Sequence, residues 1–203
     1  MLHIKSLLKN NPFATISIIV MVLAFASNLF ISDYNTFWIL LTGGGDIIDY
    51  LGINNESFFG KHQIFRAVTY GYIHTAVWHL CSNAIAIWYL SRFLERKVGS
   101  LRFAVTFVLG LIASGVCIIL IYDGFQYGAS PAIFTIIGCL MVFGLKDKSL
   151  VLEYKQQKGF WYIVCYAVLS NVIGIPTLVF HLIGLTTGLI FGAIVPVKVM
   201  HEN

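Results

Sequence analysis

Five polar side chains in an otherwise apolar chain are candidates to do chemistry together: His74, His79, Asn83, Ser130 and His181. A serine hydroxyl is a poor nucleophile until a base takes its proton, and histidine is the usual base. Ser130 and His181 therefore suit acyl transfer through a covalent intermediate. Negative charge growing on a substrate carbonyl oxygen needs donors aimed at it, which an asparagine amide or a second imidazole could supply. His79 and Asn83 stand four apart, so on a helix they share a face. Each group also has a blander reading. Ser130 precedes Pro131, the pattern of a helix N-cap followed by proline at the first helical position. His181 could be a hydrogen-bonded packing histidine, His74 and His79 interfacial groups, and Asn83 glue between helices. A zinc site of His74, His79 and His181 has no HExxH helix and no carboxylate ligand behind it, so neither metal nor cofactor is expected.

The elements that must position these groups are membrane spans. At 58% hydrophobic and 11% charged, with a mean hydropathy of +0.83, the 203-residue chain lies outside the soluble range of about 25% charged. The composition calls for an all-α, polytopic membrane protein forming a single domain over 1–203. Six apolar segments stand out, at about 13–31, 73–91, 103–122, 130–145, 160–175 and 177–197. Several reach the roughly 20 residues that cross a bilayer core. The fourth and fifth are shorter, which is allowed where a helix end opens into protein or a watery cavity.

Lys and Arg counts orient the spans. With the N-terminus inside, Lys5, Lys9, Arg92, Arg96, Lys97, Arg102, Lys146, Lys148, Lys155, Lys158 and Lys198 are cytoplasmic, and only Lys61 and Arg66 are outside. Eleven against two predicts an N-in, C-in protein. Segments two, four and six then all run from outside to inside. His79, Ser130 and His181 each fall near an outer start, at similar depth. On segment six, His181, Gly184, Gly188 and Gly192 share one stripe. Glycines four apart let helix backbones approach closely in membranes, and Gly138, eight residues past Ser130, is a candidate for the facing surface.

The rest of the chain mainly excludes. No basic stretch interleaved with aromatics suggests nucleic acid. Cys81, Cys117, Cys139 and Cys165 all lie in apolar segments and read as free, buried thiols. The outer loop 32–72, with "TGGGD" (Thr42–Asp46), is too apolar for a free linker and is expected to lie partly at the interface. Lys5, Lys9 and "AFAS" (Ala24–Ser27) could pass for a cleaved signal peptide, but the apolar run continues to Ile31, long enough to span. A solute carrier would usually want a buried carboxylate and inverted halves. Only Glu95, at the inner end of segment two, meets the first requirement.

Four stretches in order resemble the rhomboid family of intramembrane serine proteases. "HTAVWHLCSN" (His74–Asn83) is similar to its HxxxxHxxxN pattern. "GASPAIFTIIG" (Gly128–Gly138) is similar to its GxS motif with a glycine eight residues on. "HLIGLTTGLIFG" (His181–Gly192) resembles its sixth helix, and "ERKVGS" (Glu95–Ser100) the close of its second. "FRAVTYGYIH" (Phe65–His74) looks like its Trp-Arg loop, with Phe65 where tryptophan is usual. The likeness covers about 64–195. It implies a six-helix bundle and a Ser130–His181 dyad that cleaves single-span transmembrane substrates near the outer face. It also implies an oxyanion site from the Ser130 N–H, Asn83 and His79 beside Gly128, with His74 in the wall or the water-retaining part of the cavity. The small chain fits a bacterial cytoplasmic membrane. Pro131 departs from the family's usual glycine. It removes one N–H donor and biases Ser130 toward extended backbone, which motivates the alternative of an inactive relative that binds transmembrane clients.

Overall fold

A computed structural model describes residues 10–32 and 36–195. Lys5, Lys9, Asp33, Lys198 and the last two residues of the sixth predicted segment lie outside the described residues. Among those described the chain is helical without strands, and its one β pairing is a lone antiparallel bridge between Ile53 and Gln126.

The long helices are α1 (Pro12–Ile31), α5 (Val77–Val98), α6 (Ser100–Ile119), α7 (Ser130–Lys146), α9 (Phe160–Leu169) and α10 (Ile175–Ile194). Short helices α2 (Thr36–Thr42), α3 (Ile47–Leu51) and α4 (Arg66–Thr69) fold residues 36–72, and α8 (Lys148–Lys155) links α7 to α9. Three helices, α1, α6 and α10, are long and apolar enough to cross a bilayer. α5 is as long, but its last two turns carry Arg92, Glu95, Arg96 and Lys97.

Two predicted segments change shape. The 73–91 segment becomes helical only at Val77. Ala76 before it is extended (φ −131, ψ 146), and its carbonyl accepts the Leu80 N–H at 3.0 Å. The 160–175 segment is helical only to Leu169. Asn171 and Val172 then close tight turns onto Val168 and Leu169. Gly174 and Pro176 start α10 two residues before the predicted 177, with the proline in the first turn, where its missing N–H is no loss.

α7 is the centre of the bundle, buried on nearly every face. It packs most extensively on α10 and then on α6. The α7–α10 contact works because α10 presents only backbone there. A Cβ at Gly184 would strike the Pro131 carbonyl, one at Gly188 the Thr135 carbonyl, and one at Gly192 would sit 3.1 Å from Cys139 Cα. From the other side, a Cβ at Gly138 would strike the Leu185 carbonyl. That closeness lets Thr135 Oγ1 donate to Gly184 O at 2.9 Å and Cys139 Sγ to Gly188 O at 3.2 Å.

The end of the bundle rich in Lys and Arg is tied by charge. Glu95, 1% exposed, accepts the Phe13 and Ala14 N–H groups at 2.9 and 3.3 Å. Those are free donors of the α1 N-terminus, where negative charge is favoured. The one acid expected within a span is therefore spent on a helix end. Lys146 Nζ donates to Gly192 O and Ala193 O at 2.8 and 3.0 Å, closing α10 in the complementary way.

Residues 36–72 are folded onto the bundle. Asn28 on α1 takes the Ile47 N–H on Oδ1 and donates from Nδ2 to Gly44 O, at 3.2 and 2.9 Å. Arg66 donates to Gly52 O and Asp49 O at 2.7 and 2.9 Å. Tyr70 OH reaches Leu111 O on α6 at 2.7 Å.

The four-buried-thiols expectation fails at three positions. Cys81, Cys117 and Cys165 are exposed and Cys139 alone is buried. Where the solvent is lipid, an apolar helix face need not point inward.

Candidate active site

Ser130 is placed by the turn before it. Gly128 has φ +107, a left-handed conformation that costs glycine nothing. A Cβ there would lie 2.8 Å from the His79 ring. The Gly128 N–H donates to Tyr70 O at 2.8 Å, and the Ile53–Gln126 bridge holds the segment leading in. The chain then turns helical at once. Ala129 is already helical in backbone (φ −79, ψ −8), and its carbonyl accepts the Ile133 N–H at 3.1 Å.

Ala129, not Ser130, is therefore the N-cap residue, and no side chain caps the helix. This corrects the reading of Ser130 as a cap. It also corrects the expected extended backbone, since Ser130 is the first helical residue. Pro131 falls within the first turn, where its missing N–H would have had no helical partner. The hydroxyl is left uncommitted at the positive end of a buried helix.

His181 lies in the second turn of α10, 2% exposed. Its ring stacks on Phe134 with centroids 4.2 Å apart and planes within 11°. Phe134 follows Ser130 by four residues, so both sit on one face of α7. His181 Nδ1 is 2.9 Å from Asn171 Oδ1, while Nε2 is buried without a hydrogen-bond partner.

On α5, Asn83 Oδ1 accepts the Tyr166 hydroxyl at 2.6 Å. Its Nδ2 donates to His79 O at 3.0 Å and lies 3.1 Å from His74 Nε2. Both amide hydrogens are thus engaged. His74 is fully buried, its ring edge-on to His79 at 4.8 Å between centroids. It is held against Asn83 and is not among the residues that line the cavity.

One cavity of about 380 Å³ brings the groups together. Ser130 and His181 line it with His79 and Asn83, and Tyr162 and Tyr166 of α9 form a further wall. No Asp or Glu is among its lining residues. Among the described residues no three His, Cys, Asp or Glu side chains gather closely enough to hold a metal ion.

The Rhomboid domain family profile matches residues 61–198, well over half of the chain and every residue of the cavity wall. The chain belongs to the rhomboid family. Rhomboid protease GluP of Bacillus subtilis (strain 168) is 26% identical over 121 residues, 58% of this chain and 24% of that protein. Rhomboid-like protease 3 of Toxoplasma gondii is 34% identical over 89 residues, 43% of this chain and 34% of that one. RHOMBOID-like protein 7 of Arabidopsis thaliana is 28% identical over 82 residues, 40% of this chain and 26% of the relative. The matches thus span a quarter to a third of the length of these relatives. With three helices of spanning length and composition, this rhomboid domain belongs in a membrane.

Three side chains of the candidate site escaped sequence reasoning: Tyr166 in the cavity wall, and Phe134 and Asn171 against His181. Phe134 had a usable signal, its spacing of four from Ser130. Asn171 lay in a cluster of turn formers with Ser170, Gly174 and Pro176, inside what read as a span. Tyr166 had none, because an apolar run does not say which tyrosine faces inward.

Proposed function

We propose that this rhomboid domain is an intramembrane serine endopeptidase, with Ser130 as nucleophile and His181 as general base. The observation that carries this reading is the pairing within one cavity. Ser130 has a hydroxyl free of capping, and His181 has a buried, unpartnered Nε2 stacked over the same face of α7.

Ser130 Oγ attacks the substrate carbonyl carbon as its proton passes to His181 Nε2. The tetrahedral oxyanion is held by the Ser130 N–H at the helix start and by His79, with Gly128 letting that ring sit close. Asn83 joins as a donor by exchanging its contact with His74. His181 then gives the proton to the leaving amine, the C–N bond breaks, and an acyl-Ser130 ester remains. Water, deprotonated by the same Nε2, hydrolyses the ester.

The substrates are single-span membrane proteins unwound at the cavity, where polar groups can take up the freed backbone. The cavity lies at the helix starts of α5, α7 and α10, and Arg92, Arg96, Lys97 and Lys146 lie at the far ends of α5 and α7. That arrangement supports six crossings, N-in and C-in, with cleavage near the outer face. The host membrane we infer is a bacterial cytoplasmic one.

The test is cleavage of a single-span substrate by purified protein in detergent. Wild type should cut, and Ser130→Ala and His181→Ala should each lose at least about 10³-fold. Cleavage that survives either change sinks the reading.

A further inference from the structure

Resting on the dyad reading, we propose that Asn171 is a positioning residue for the base: it holds His181 in the Nδ1–H tautomer and leaves the Nε2 lone pair to the cavity. An Asn amide and a His ring each have two possible hydrogen-bonding assignments, which the network must decide. Here it does. Asn171 Nδ2 is 2.6 Å from Ala167 O. A backbone carbonyl only accepts, so the atom facing it must be the NH₂ end. Oδ1 therefore faces His181 Nδ1 at 2.9 Å, and an amide oxygen also only accepts. His181 Nδ1 must carry the proton. The opposite tautomer would set two lone pairs against each other in a part-buried place.

The consequence for chemistry is direct. A neutral imidazole protonated at Nδ1 is basic at Nε2, the atom that has no partner and that a serine proton would reach. When Nε2 takes that proton, the Nδ1–H bond to Asn171 persists and becomes charge-assisted. An acid would ordinarily hold the histidine of a serine protease in this way. No acid lines this cavity, and a neutral amide occupies the position instead.

Asn171 is itself held firmly. Its backbone N–H closes a turn onto Val168 O at 3.3 Å, and its side chain is tied to the last turn of α9. The base on α10 is therefore aligned by the end of a neighbouring helix, one residue beyond Ser170 in the cavity wall.

Full-length protein labelled with ¹⁵N-histidine reports the tautomer by NMR in detergent, with His181→Ala assigning the signal. Wild type should show His181 protonated at Nδ1, and Asn171→Ala should show mixed tautomers. With a single-span substrate, Asn171→Ala should lower kcat about 10- to 100-fold, part of the 10²–10⁴ that a positioned base contributes, with KM within about twofold. Asn171→Asp keeps the acceptor and gives up the donor to Ala167; it should recover at least about fivefold of that loss. An Nε2–H tautomer in wild type overturns the proposal without any variant having to fold. So does a tautomer or a kcat that Asn171→Ala leaves unchanged. If wild type proves unable to cleave, the protease reading fails alone, and the wild-type tautomer still decides whether Asn171 holds His181.

Discussion

Replacing single glycines along α10 should produce sharply graded effects, because the obstacle differs at each step. At Gly188 an added methyl would strike the Thr135 carbonyl, and at Gly184 the Pro131 carbonyl. Both obstacles are backbone within the most buried helix, so no rotamer change relieves them. At Gly192 the nearest atoms are Cys139 Cα and Val142 Cβ, each 3.1 Å from the new methyl, a gap that a few tenths of an ångström reopens. Overpacking of the first kind costs about 1–3 kcal/mol. Alanine's higher helix propensity returns about 0.5–1 kcal/mol at any of these positions. Gly188→Ala should therefore lose a net ~1–2 kcal/mol, while Gly192→Ala should stay within about 0.5 kcal/mol of wild type. To clear Thr135, α10 must move away from α7 by about 1 Å, and it carries His181 with it. A misplacement of that size costs about 10²-fold in rate. Equilibrium unfolding in mixed micelles and the rate of Ser130 phosphonylation by a fluorophosphonate, on Gly184→Ala, Gly188→Ala and Gly192→Ala, read both quantities. Equal effects at Gly188 and Gly192 would refute the close-approach argument.

Two further outcomes follow from single contacts. Tyr166→Phe removes the 2.6 Å bond to Asn83 Oδ1 and leaves a buried acceptor unpaired, so stability should fall by about 1–3 kcal/mol. Phosphonylation of Ser130 by a fluorophosphonate should change less than substrate cleavage does, a difference that parallel probe and substrate assays would detect. Gly128→Ala combines a left-handed backbone (φ +107) with a methyl set against the His79 ring. The conformation alone costs about 1–2 kcal/mol. Both stability and substrate turnover should drop, and a stable, fully active Gly128→Ala protein would contradict the role given to that turn.

Much of the site was legible because its residues obey helical spacing. His79 and Asn83 share a face of α5, and His181 heads the glycine stripe of α10. Both relations depend only on 3.6 residues per turn. What spacing could not give was the behaviour of helix ends. Ser-Pro suggested a cap at Ser130, yet the left-handed Gly128 sends the chain into the helix one residue early and puts Ala129 in that place. The span expected over 160–175 breaks after Leu169, since Asn171, Gly174 and Pro176 favour turns over continuous helix. The partner of His181 lies in that break, ten residues ahead of it, and no periodicity links a turn to a helix face. Burial of the cysteines was misjudged for a different reason: apolar character marks a span but not which side of it meets lipid or, as at Cys165, the cavity.

The most direct measurement is intact-mass analysis of the purified protein after reaction with a fluorophosphonate in detergent, with peptide mapping of any adduct. A Ser130–His181 dyad should give one adduct per chain, on Ser130, absent in Ser130→Ala and formed at least about 100-fold more slowly in His181→Ala. A wild-type protein that stays unlabelled at Ser130, or a His181→Ala protein labelled at the wild-type rate, would contradict it.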